Sequence, residues 1–340
     1  MKQKGFFDEE ESLRKLSKLG DPLEKLNEYI NWEGFRGLLT KGIKKEARGP
    51  GGRPPFDYVM MFKILILQRL YNMADDQTEF QINDRLSFRR YLKLELHDTI
   101  PDAKTIWNFR EELKKANVIE KLFKMFNEEL EESKIITYSG SIVDATFIEA
   151  PRQHNTREEN KQIKEGKIPE EWEKRENKNT LAQKDIDARW VTKNKKRHYG
   201  YKDHIKIDKK SKMITKYQVT SAEVHDGQKL KELMEKKKDK RFYGDSAYTG
   251  EEVQKCIPKK ILNRIHEKGY RNRPLTKTQI RNNTAKSRIR ARVEHVFATM
   301  TQFGGKTIRT IGIARARLQI GLLNLTYNIK RYVYLVNEMA

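Results

Sequence analysis

Three carboxylates stand where an acid is unexpected in an otherwise basic chain. Asp144 interrupts the apolar run "SIVDATFIEA", and Asp245 directly follows the short aromatic run "RFYG". Glu294 lies within "RIRARVEHVFATM", next to the apolar residues of a basic stretch. Strand-forming residues precede both aspartates, so we predict that Asp144 lies inside a strand and Asp245 at the C-terminal edge of another. The glutamate is predicted to lie near the apolar face of a helix.

This combination of acids predicts metal-dependent phosphodiester chemistry. Adjacent strands lie about 4.8 Å apart, so aspartates on neighbouring strands can share a cation. With a glutamate from a packed helix they form an all-oxygen ligand set, which suits Mg²⁺ or Mn²⁺. Two such ions about 4 Å apart activate a water or a 3′-hydroxyl and stabilise the leaving oxygen of a phosphodiester. Without metal, three clustered acids repel one another.

Each acid alone also has an ordinary structural interpretation. Asp144 is equally well explained as an acid that caps a turn at a strand end. Glu294 can form a surface ion pair with Arg290, one helical turn earlier. The metal hypothesis therefore depends on the three acids together.

The charge of the chain predicts a polyanionic partner. The 340 residues contain 71 Lys and Arg against 48 Asp and Glu, giving a formal net charge of +23 and a pI near 9.7. Nucleic acid is the simplest such partner. A merely soluble basic protein is the alternative. A membrane surface is disfavoured because the charge is spread along the chain rather than along one amphipathic helix.

Cysteine and histidine usage excludes several other classes of protein. Cys256 is the only cysteine, which rules out an intrachain disulfide and agrees with a reducing cytoplasm. The 7 histidines show no zinc-ligand spacing. The sequence has no secretory signal pattern at "MKQKGFFDEEESLRKL" and no uninterrupted apolar run long enough to span a membrane.

The order of sequence patterns predicts an all-helical N-terminal part followed by an α/β domain. Residues 1–50 form short helices, "GPGGRPPFDY" is a loop, and residues 51–137 form a helical DNA-binding domain in which Asp102 caps a helix. Residues 138–340 alternate strands with helices, which predicts a mixed sheet flanked by helices. "KKSK" reads as a hairpin turn within it. Residues at about 151–198 form a charged insertion or mobile loop.

Several motifs together resemble one known family. They include "GRPPFDYVMMFKILILQRLYNMADDQTEFQINDRLSFRRYL", "IPDAKTIWNFREEL", "IVDATFIEAPRQHN", "HYGYKDHIKID", "VTSAEVHDGQ", "YGDSAYTG", "RARVEHVFATM" and "LLNLTYNIKR". The chain resembles the DDE transposases of bacterial insertion sequences, in the insertion-sequence-five group of the broader insertion-sequence-four-like transposases. The resemblance extends from about residue 50 to residue 332.

The resemblance implies a fold, a reaction and a set of site residues. It implies an RNase H-like catalytic domain in which Asp144, Asp245 and Glu294 bind Mg²⁺ or Mn²⁺, with two ions expected. It implies cleavage at the terminal inverted repeats of a transposon and joining of the freed 3′-hydroxyl to target DNA. Paired transposon ends imply at least a homodimer on double-stranded DNA, which places the expected protein in the cytoplasm at the nucleoid.

The last family motif departs from its frequent pattern at two positions. The family often has Tyr and Lys where this chain has Ser287 and Thr301, whereas Arg290 and Glu294 match. The departure affects an expected lysine contact to transposon-end DNA, for which Lys306 or Arg309 is a replacement. It leaves the three acids unchanged.

Basic and polar side chains around the acids are candidate DNA contacts. The dense basic run near Glu294 predicts a phosphate-binding surface, and Lys202 and His204 are candidates for the scissile phosphate, with a structural role as the alternative. His225 and Asp226 either orient the acids or, for Asp226, cap a helix. Trp172 and Trp190 are candidates for stacking on an unpaired base. The basic run comprises Arg281, Lys286, Arg288, Arg290 and Arg292.

The helical domain is the expected reader of the transposon ends. Its polar side chains have the chemistry of base and phosphate contacts, although a solvated helix face explains each of them equally well. These residues are Gln77, Gln81, Asn83, Arg85, Arg89 and Arg90.

Two other functions share part of this pattern. An RNase H-like nuclease or resolvase would use the same acids without joining DNA strands. A non-enzymatic DNA-binding protein would use them only in salt bridges and would not bind metal.

Overall fold

The computed structural model describes residues 8–43, 54–151, 153–174, 178–193 and 195–339. The boundary predicted at residue 50, part of the predicted "GPGGRPPFDY" loop and parts of the predicted insertion lie outside these ranges. The chain divides into two compact units, one comprising Met1–Leu122 with Asn328–Ala340 and the other Phe123–Tyr327. Both boundaries between the units fall inside helices.

The first unit is helical wherever the structure describes regular secondary structure, as the sequence predicts. Asp57 and Asp102 cap two of its helices, accepting hydrogen bonds from the backbone N–H groups of Met60 at 2.9 Å and Thr105 at 2.6 Å. The helices are α1 (Asp8–Lys18), α2 (Pro22–Tyr29), α3 (Arg36–Ile43), α4 (Tyr58–Leu70), α5 (Asp75–Asp84), α6 (Leu86–Leu92) and α7 (Ala103–Ala116), with α8 (Ile119–Glu132) following.

The central helix of this unit is α4. The sequence predicts one apolar stripe, but the helix is buried at every position from Met61 to Gln68. Its "MMFKILIL" run is apolar on nearly all sides, and a helix of that kind must be surrounded by other elements. Lys63 is the exception in this run: its ammonium donates to the Tyr91 carbonyl and lies over the Tyr91 ring.

The second unit is built on a mixed sheet flanked by helices, which confirms the predicted α/β class. Its strands are β1 (Ser141–Glu149), β2 (Arg189–Lys193), β3 (Lys196–Asp208), β4 (Ile214–Ser221), β5 (Arg241–Tyr243) and β6 (Leu262–Asn263). Its helices are α9 (Arg157–Lys164), α10 (Glu170–Glu173), α11 (Lys178–Gln183), α12 (Leu230–Leu233), α13 (Glu251–Lys255), α14 (Lys277–Gln302) and α15 (Ile313–Met339).

Pairing of the strands places β1 at the centre of the sheet. The strand order is β2-β3-β1-β5-β6, and β4 also pairs with β3. β1, β2 and β4 are all antiparallel to β3, whereas β5 is parallel to β1 and to β6. The antiparallel β3–β4 pair confirms the predicted hairpin. Val143 packs in a buried cluster with α12, and the next residue, Asp144, contacts α14, so helices cover both faces of the sheet.

The predicted charged insertion contains regular structure in its described parts. It includes α9, α10, α11 and β2. Trp172, a predicted candidate for stacking on a base, is not accessible: the residue is 3% exposed, and its indole N–H donates to Glu159 at 2.7 Å. Trp190 is half-buried, donates to the Asn155 carbonyl at 2.7 Å and packs on Tyr199. A large apolar ring in a polar segment is buried when the segment folds back on itself, which periodicity cannot show.

A buried carboxyl group on β3 has one polar partner. Asp203 is fully buried, and Asn324 of α15 donates to its Oδ1 at 3.3 Å. Burial raises the pKa of Asp203 to about 8, and the Asn324 hydrogen bond lowers it only in part. The Asp203 Oδ2 and Asn324 Oδ1 atoms have no partner in the described residues. The neutral acid is therefore the form that the folded protein favours at neutral pH.

This burial predicts a stability that falls as the pH rises. Between the ordinary carboxyl pKa near 4 and the folded value of about 8, the folded protein holds a proton that the unfolded chain has lost. The free energy of unfolding should therefore decrease by about 1 kcal/mol per pH unit in that window. Asp203→Asn removes this slope, which urea unfolding of both proteins between pH 5 and 8 would measure. Parallel pH profiles would contradict the prediction.

Candidate active site

Strand pairing brings Asp144 and Asp245 to the same edge of the sheet. β1 and β5 are parallel, with Ser141 opposite Phe242 and Ile142 opposite Tyr243. Continuing this register by two residues brings Asp144 level with Asp245. Their charges interact: burial raises the pKa of Asp144, and the negative charge of Asp245 raises it further. The two aspartates predicted on neighbouring strands are therefore neighbours in space.

The turn after β5 fixes the position of Asp245. The carboxylate caps a short 3-10 helical turn, Ser246–Tyr248, and accepts a hydrogen bond from the Ala247 backbone N–H at 2.9 Å. Gly244 precedes it, and a Cβ atom at that position would lie 2.9 Å from a ring carbon of Tyr248. Glycine is thus required for the tight packing of this turn.

Asp144 is buried and paired with an arginine. It is 8% exposed; its Oδ2 accepts a hydrogen bond from Arg290 of α14 at 2.8 Å, and its Oδ1 accepts one from the Ala145 backbone N–H at 2.8 Å. Burial raises the pKa of Asp144, the charge of Arg290 and the Ala145 N–H lower it, and Asp245 raises it further. The net effect is a raised pKa, so this carboxylate lies where a nearby cation is favourable.

Glu294 lies one helical turn beyond Arg290 on α14 and is exposed to solvent. The alternative Arg290–Glu294 ion pair is not formed, because Arg290 pairs with Asp144. Within the described ranges, no three His, Cys, Asp or Glu side chains are close enough together to hold a metal ion. The structure thus brings two of the three predicted acids together and leaves the third on the adjacent helix.

The carboxylate oxygens of the two aspartates are nevertheless suitable ligands for a hard divalent cation. Asp144 and Asp245 supply carboxylate oxygens, which Mg²⁺ and Mn²⁺ prefer, and Mg²⁺ commonly binds through only one or two protein carboxylates. Two neighbouring carboxylates with a raised pKa at Asp144 gain free energy from a shared cation. The residues present therefore fit such an ion.

Two of the predicted phosphate contacts are buried and already paired. The Lys202 ammonium donates to Asp226 at 2.9 Å and to the Val224 carbonyl at 2.7 Å. His204 is fully buried against Thr220, with 2.9 Å between Nε2 and Oγ1, and burial lowers its pKa to about 4. Neither side chain is exposed to solvent. The structure therefore favours the alternative that Lys202 and His204 have structural roles and do not contact the scissile phosphate.

The predicted alternative that Asp226 caps a helix is wrong, because the cap is the preceding residue, His225. His225 is the capping residue, and its Nδ1 accepts a hydrogen bond from the Gly227 N–H at 3.2 Å. Asp226 binds Lys202; burial would raise the pKa of Asp226, but the hydrogen bond and charge of Lys202 outweigh burial and lower it. The turn that carries Asp226 packs against the turn that carries Asp245. A Cβ atom placed on Gly227 would lie 3.6 Å from the Ala247 carbonyl oxygen, which shows how close the two turns are.

The basic run on α14 splits into internal and solvent-facing cations. Lys286 donates to the Ile265 carbonyl at 2.8 Å, Arg290 pairs with Asp144, and Arg292 donates to the Lys209 carbonyl. Arg281 and Arg288 are exposed, and within the described residues they have no ion pair or side-chain hydrogen bond. These two arginines are therefore the members of the run that are available to DNA phosphates.

His266 was not predicted from the sequence but lies beside the site. Its backbone N–H donates to the Gly244 carbonyl at 3.1 Å, next to Asp245, and its Nε2 lies 3.3 Å from the Ser287 hydroxyl. Burial lowers the pKa of His266, as do Arg290 and Lys286. Ser287, where the family often has Tyr, thus contacts an imidazole. No local motif marks His266, because it reaches the site through the pairing of the chain after β6.

Tyr248 is a second residue that the sequence did not single out. Its side chain is 1% exposed, and its hydroxyl has no hydrogen-bond partner among the described residues. Burial raises the pKa of Tyr248, and the charges of Asp144, Asp226 and Asp245 raise it further. The hydroxyl therefore stays protonated as a donor near three carboxylates. Tyr248 belongs to the quoted "YGDSAYTG", so its proximity to Asp245 is the available sequence signal.

The unpaired hydroxyl predicts that Tyr248→Phe does not destabilise the protein. Removing a buried donor that makes no hydrogen bond should leave the free energy of unfolding unchanged or raise it by up to about 1 kcal/mol. Tyr201→Phe is the matched control, because the Tyr201 hydroxyl donates to Asp185 at 2.8 Å and its loss should cost about 1–3 kcal/mol. Urea unfolding measures both, and a loss of stability in Tyr248→Phe as large as in the control would contradict the interpretation.

Comparison with known families agrees with this architecture. None of the helices in the described ranges combines the length and hydropathy needed to cross a membrane. No solved structure matches the chain. Residues 11–112 match the family described as "Transposase domain (DUF772)", and residues 136–329 match the "Transposase DDE domain". The helical region followed by a mixed sheet with flanking helices is consistent with the RNase H-like fold of DDE domains. The chain belongs to the DDE-domain transposases.

Proposed function

We propose that the protein is an active transposase of a bacterial insertion sequence in the insertion-sequence-five group. It binds the terminal inverted repeats of its element, cleaves the DNA ends by metal-dependent hydrolysis and joins the freed 3′-hydroxyl to target DNA. The observation that carries the proposal is the parallel β1–β5 register, which brings Asp144 and Asp245 level at one sheet edge. Two carboxylates gain little structurally from this proximity, whereas phosphodiester cleavage requires it.

Asp144 and Asp245 are the residues that would hold Mg²⁺ or Mn²⁺, and Glu294 is the proposed third ligand. A bound pair of divalent ions would polarise the scissile phosphate and lower the pKa of an attacking water. The contribution of the protein is positional: the sheet fixes Asp144, the 3-10 turn fixes Asp245, and α14 carries Glu294. The exposed Glu294 side chain has the freedom to turn towards the aspartates, which a buried side chain would lack.

Arg290 has two roles in this proposal. In the structure it neutralises the buried Asp144 carboxylate at 2.8 Å. A substrate phosphate and metal ions would compete for these same charges, so Arg290 would then be free to contact the DNA backbone. An arginine suits both partners because its planar fork of donors matches carboxylate and phosphate oxygens alike.

The exposed cations would hold the DNA against this edge. The net charge of +23 favours binding to a polyanion, and Arg281 and Arg288, which are exposed on α14, lie close to Glu294 in sequence. Phosphate contacts of this kind position a duplex without reading its sequence. The helical unit is the proposed reader of the terminal repeats, and two protomers would hold the two ends. We propose that the protein acts in the cytoplasm, at the nucleoid.

The deciding experiment measures cleavage and binding separately. Asp144→Asn, Asp245→Asn and Glu294→Gln should each reduce nicking of a labelled terminal-repeat duplex by about 100-fold or more, because several kcal/mol of transition-state stabilisation would be lost. DNA affinity should stay equal or rise, because a negative charge is removed next to a polyanion. Cleavage should require Mg²⁺ or Mn²⁺ and stop with chelator. Glu252→Gln, an exposed acid on α13, is the matched control.

The same assay separates the competing functions. Cleavage followed by joining of the labelled end to a second duplex supports a transposase. Cleavage without joining would instead indicate a nuclease. Binding without cleavage by the wild-type protein would leave a DNA-binding relative, and Ser287 and Thr301 would be the first positions to restore to Tyr and Lys. A full loss in both aspartate variants with normal activity in Glu294→Gln would exclude Glu294 as a ligand.

A further inference from the structure

A polar groove lies next to the candidate site in the second unit. It is formed by β5, β6 and α14 and has a volume of about 320 Å³. We call it the β5–β6–α14 groove. Its chemistry is set by six polar lining residues: Arg241, Asn263, Arg264, Glu267, Asn282 and Lys286.

The groove is positively charged, and most of this charge is not neutralised by the carboxylate that lines it. Glu267 is its single carboxylate, and Lys286 pairs with it at 3.3 Å. Arg241 and Arg264 are both exposed, and neither guanidinium has a hydrogen bond or ion pair within the part of the chain that the structure describes. Two unpaired guanidiniums in one concave site repel each other, so an anion bound between them is favourable.

The groove begins one helical turn from the candidate site. Lys286 lines the groove, and Arg290, four residues later on α14, contacts Asp144. One turn advances about 5.4 Å along a helix. On the sheet side, Arg241 is the first residue of β5, and the chain reaches Asp245 directly after that strand. The groove and the two aspartates therefore lie along the same strand and the same helix.

We propose that the β5–β6–α14 groove binds the phosphate backbone of the DNA strand beside the cleaved bond, through Arg241 and Arg264. This inference rests on the proposed function and extends it to a specific surface. Arginine pairs bind phosphate oxygens through two parallel N–H donors, and the exposed Asn282 side chain adds a neutral donor at the same wall. A strand whose scissile phosphate lies at Asp144 and Asp245 continues into this groove over the distance of neighbouring nucleotides.

The test is a binding measurement that needs no cleavage. The full-length protein, in chelator, is titrated with terminal-repeat duplexes in which single phosphates near the cut are replaced by neutral methylphosphonates. In the wild type, replacement of a phosphate held by the groove weakens binding. In Arg241→Ala/Arg264→Ala the same replacement has no further effect, because its partners are gone. The variant should bind the unmodified duplex at least about 10-fold more weakly, and its salt slope should fall by about 2.

Controls separate this site from the general charge of the protein. Lys236→Ala/Lys237→Ala removes two exposed charges of the same unit outside the groove and should keep the full methylphosphonate effect. Arg241→Lys/Arg264→Lys keeps the charge and should restore most of the salt slope. Thermal unfolding establishes that each variant is folded, and Arg241→Gln/Arg264→Gln, which removes both charges but keeps polar side chains, replaces the Ala pair if that pair does not fold.

Two results would overturn the inference. One is a groove variant that responds to every methylphosphonate like the wild type, and the other is a loss of affinity no larger than in the Lys236/Lys237 control. If the proposed function were wrong, metal-dependent cleavage would be absent, whereas the coupling between the arginines and one phosphate would remain. A groove that binds acidic peptides instead would show no phosphate coupling and would bind an added acidic peptide when DNA is absent from the titration.

Discussion

The structure of the second unit depends on keeping one charged side chain inside a sheet. Asp144 lies on the central strand, where an unpaired carboxylate would cost several kcal/mol. Arg290 of α14 offsets part of that cost with a direct ion pair, and the Ala145 N–H adds a second hydrogen bond. The pair joins the sheet to α14, and it thereby brings Glu294 to the same side of the protein as the aspartates. A chain without function would gain more from an apolar residue at position 144.

Burial of charge is repeated along the neighbouring strand. β3 is buried from Tyr199 to its end, yet it carries Lys202, Asp203, His204 and Lys206. Lys206 is fully buried against Asp239 at 3.2 Å, with Glu235 at 2.6 Å. Each of these side chains has a partner from another element, so a slip of β3 by one residue would leave several charges buried without partners. The polar pairs therefore specify the register that aligns β1 with its neighbours.

Because of these internal pairs, only part of the high positive charge is available at the surface. A net charge of +23 describes the whole chain, but Lys202, Lys206, Arg290 and Arg292 are engaged inside the second unit. The positive surface near the candidate site is instead made by cations that have no internal partner among the described residues. These are Arg281 and Arg288 on α14 and Arg241 and Arg264 in the β5–β6–α14 groove. Long-range attraction depends on all of these charges, whereas close contact with phosphates depends on the second group.

The sequence by itself determined the fold class, the helical N-terminal region, the β3–β4 hairpin and the cap at Asp102, because these depend on short-range periodicity, turn chemistry and capping. It also singled out Asp144 and Asp245 as candidates, because an acid among strand formers is conspicuous without any knowledge of its neighbours. The tertiary structure alone decided which polar residues are buried. Trp172, Lys202 and His204 are enclosed, whereas Glu294 remains exposed. It also brought His266 and Tyr248 to the site, since their positions follow from pairing between segments that are distant along the chain. Burial and long-range pairing are properties of the whole packed unit, and no local pattern of residues carries them.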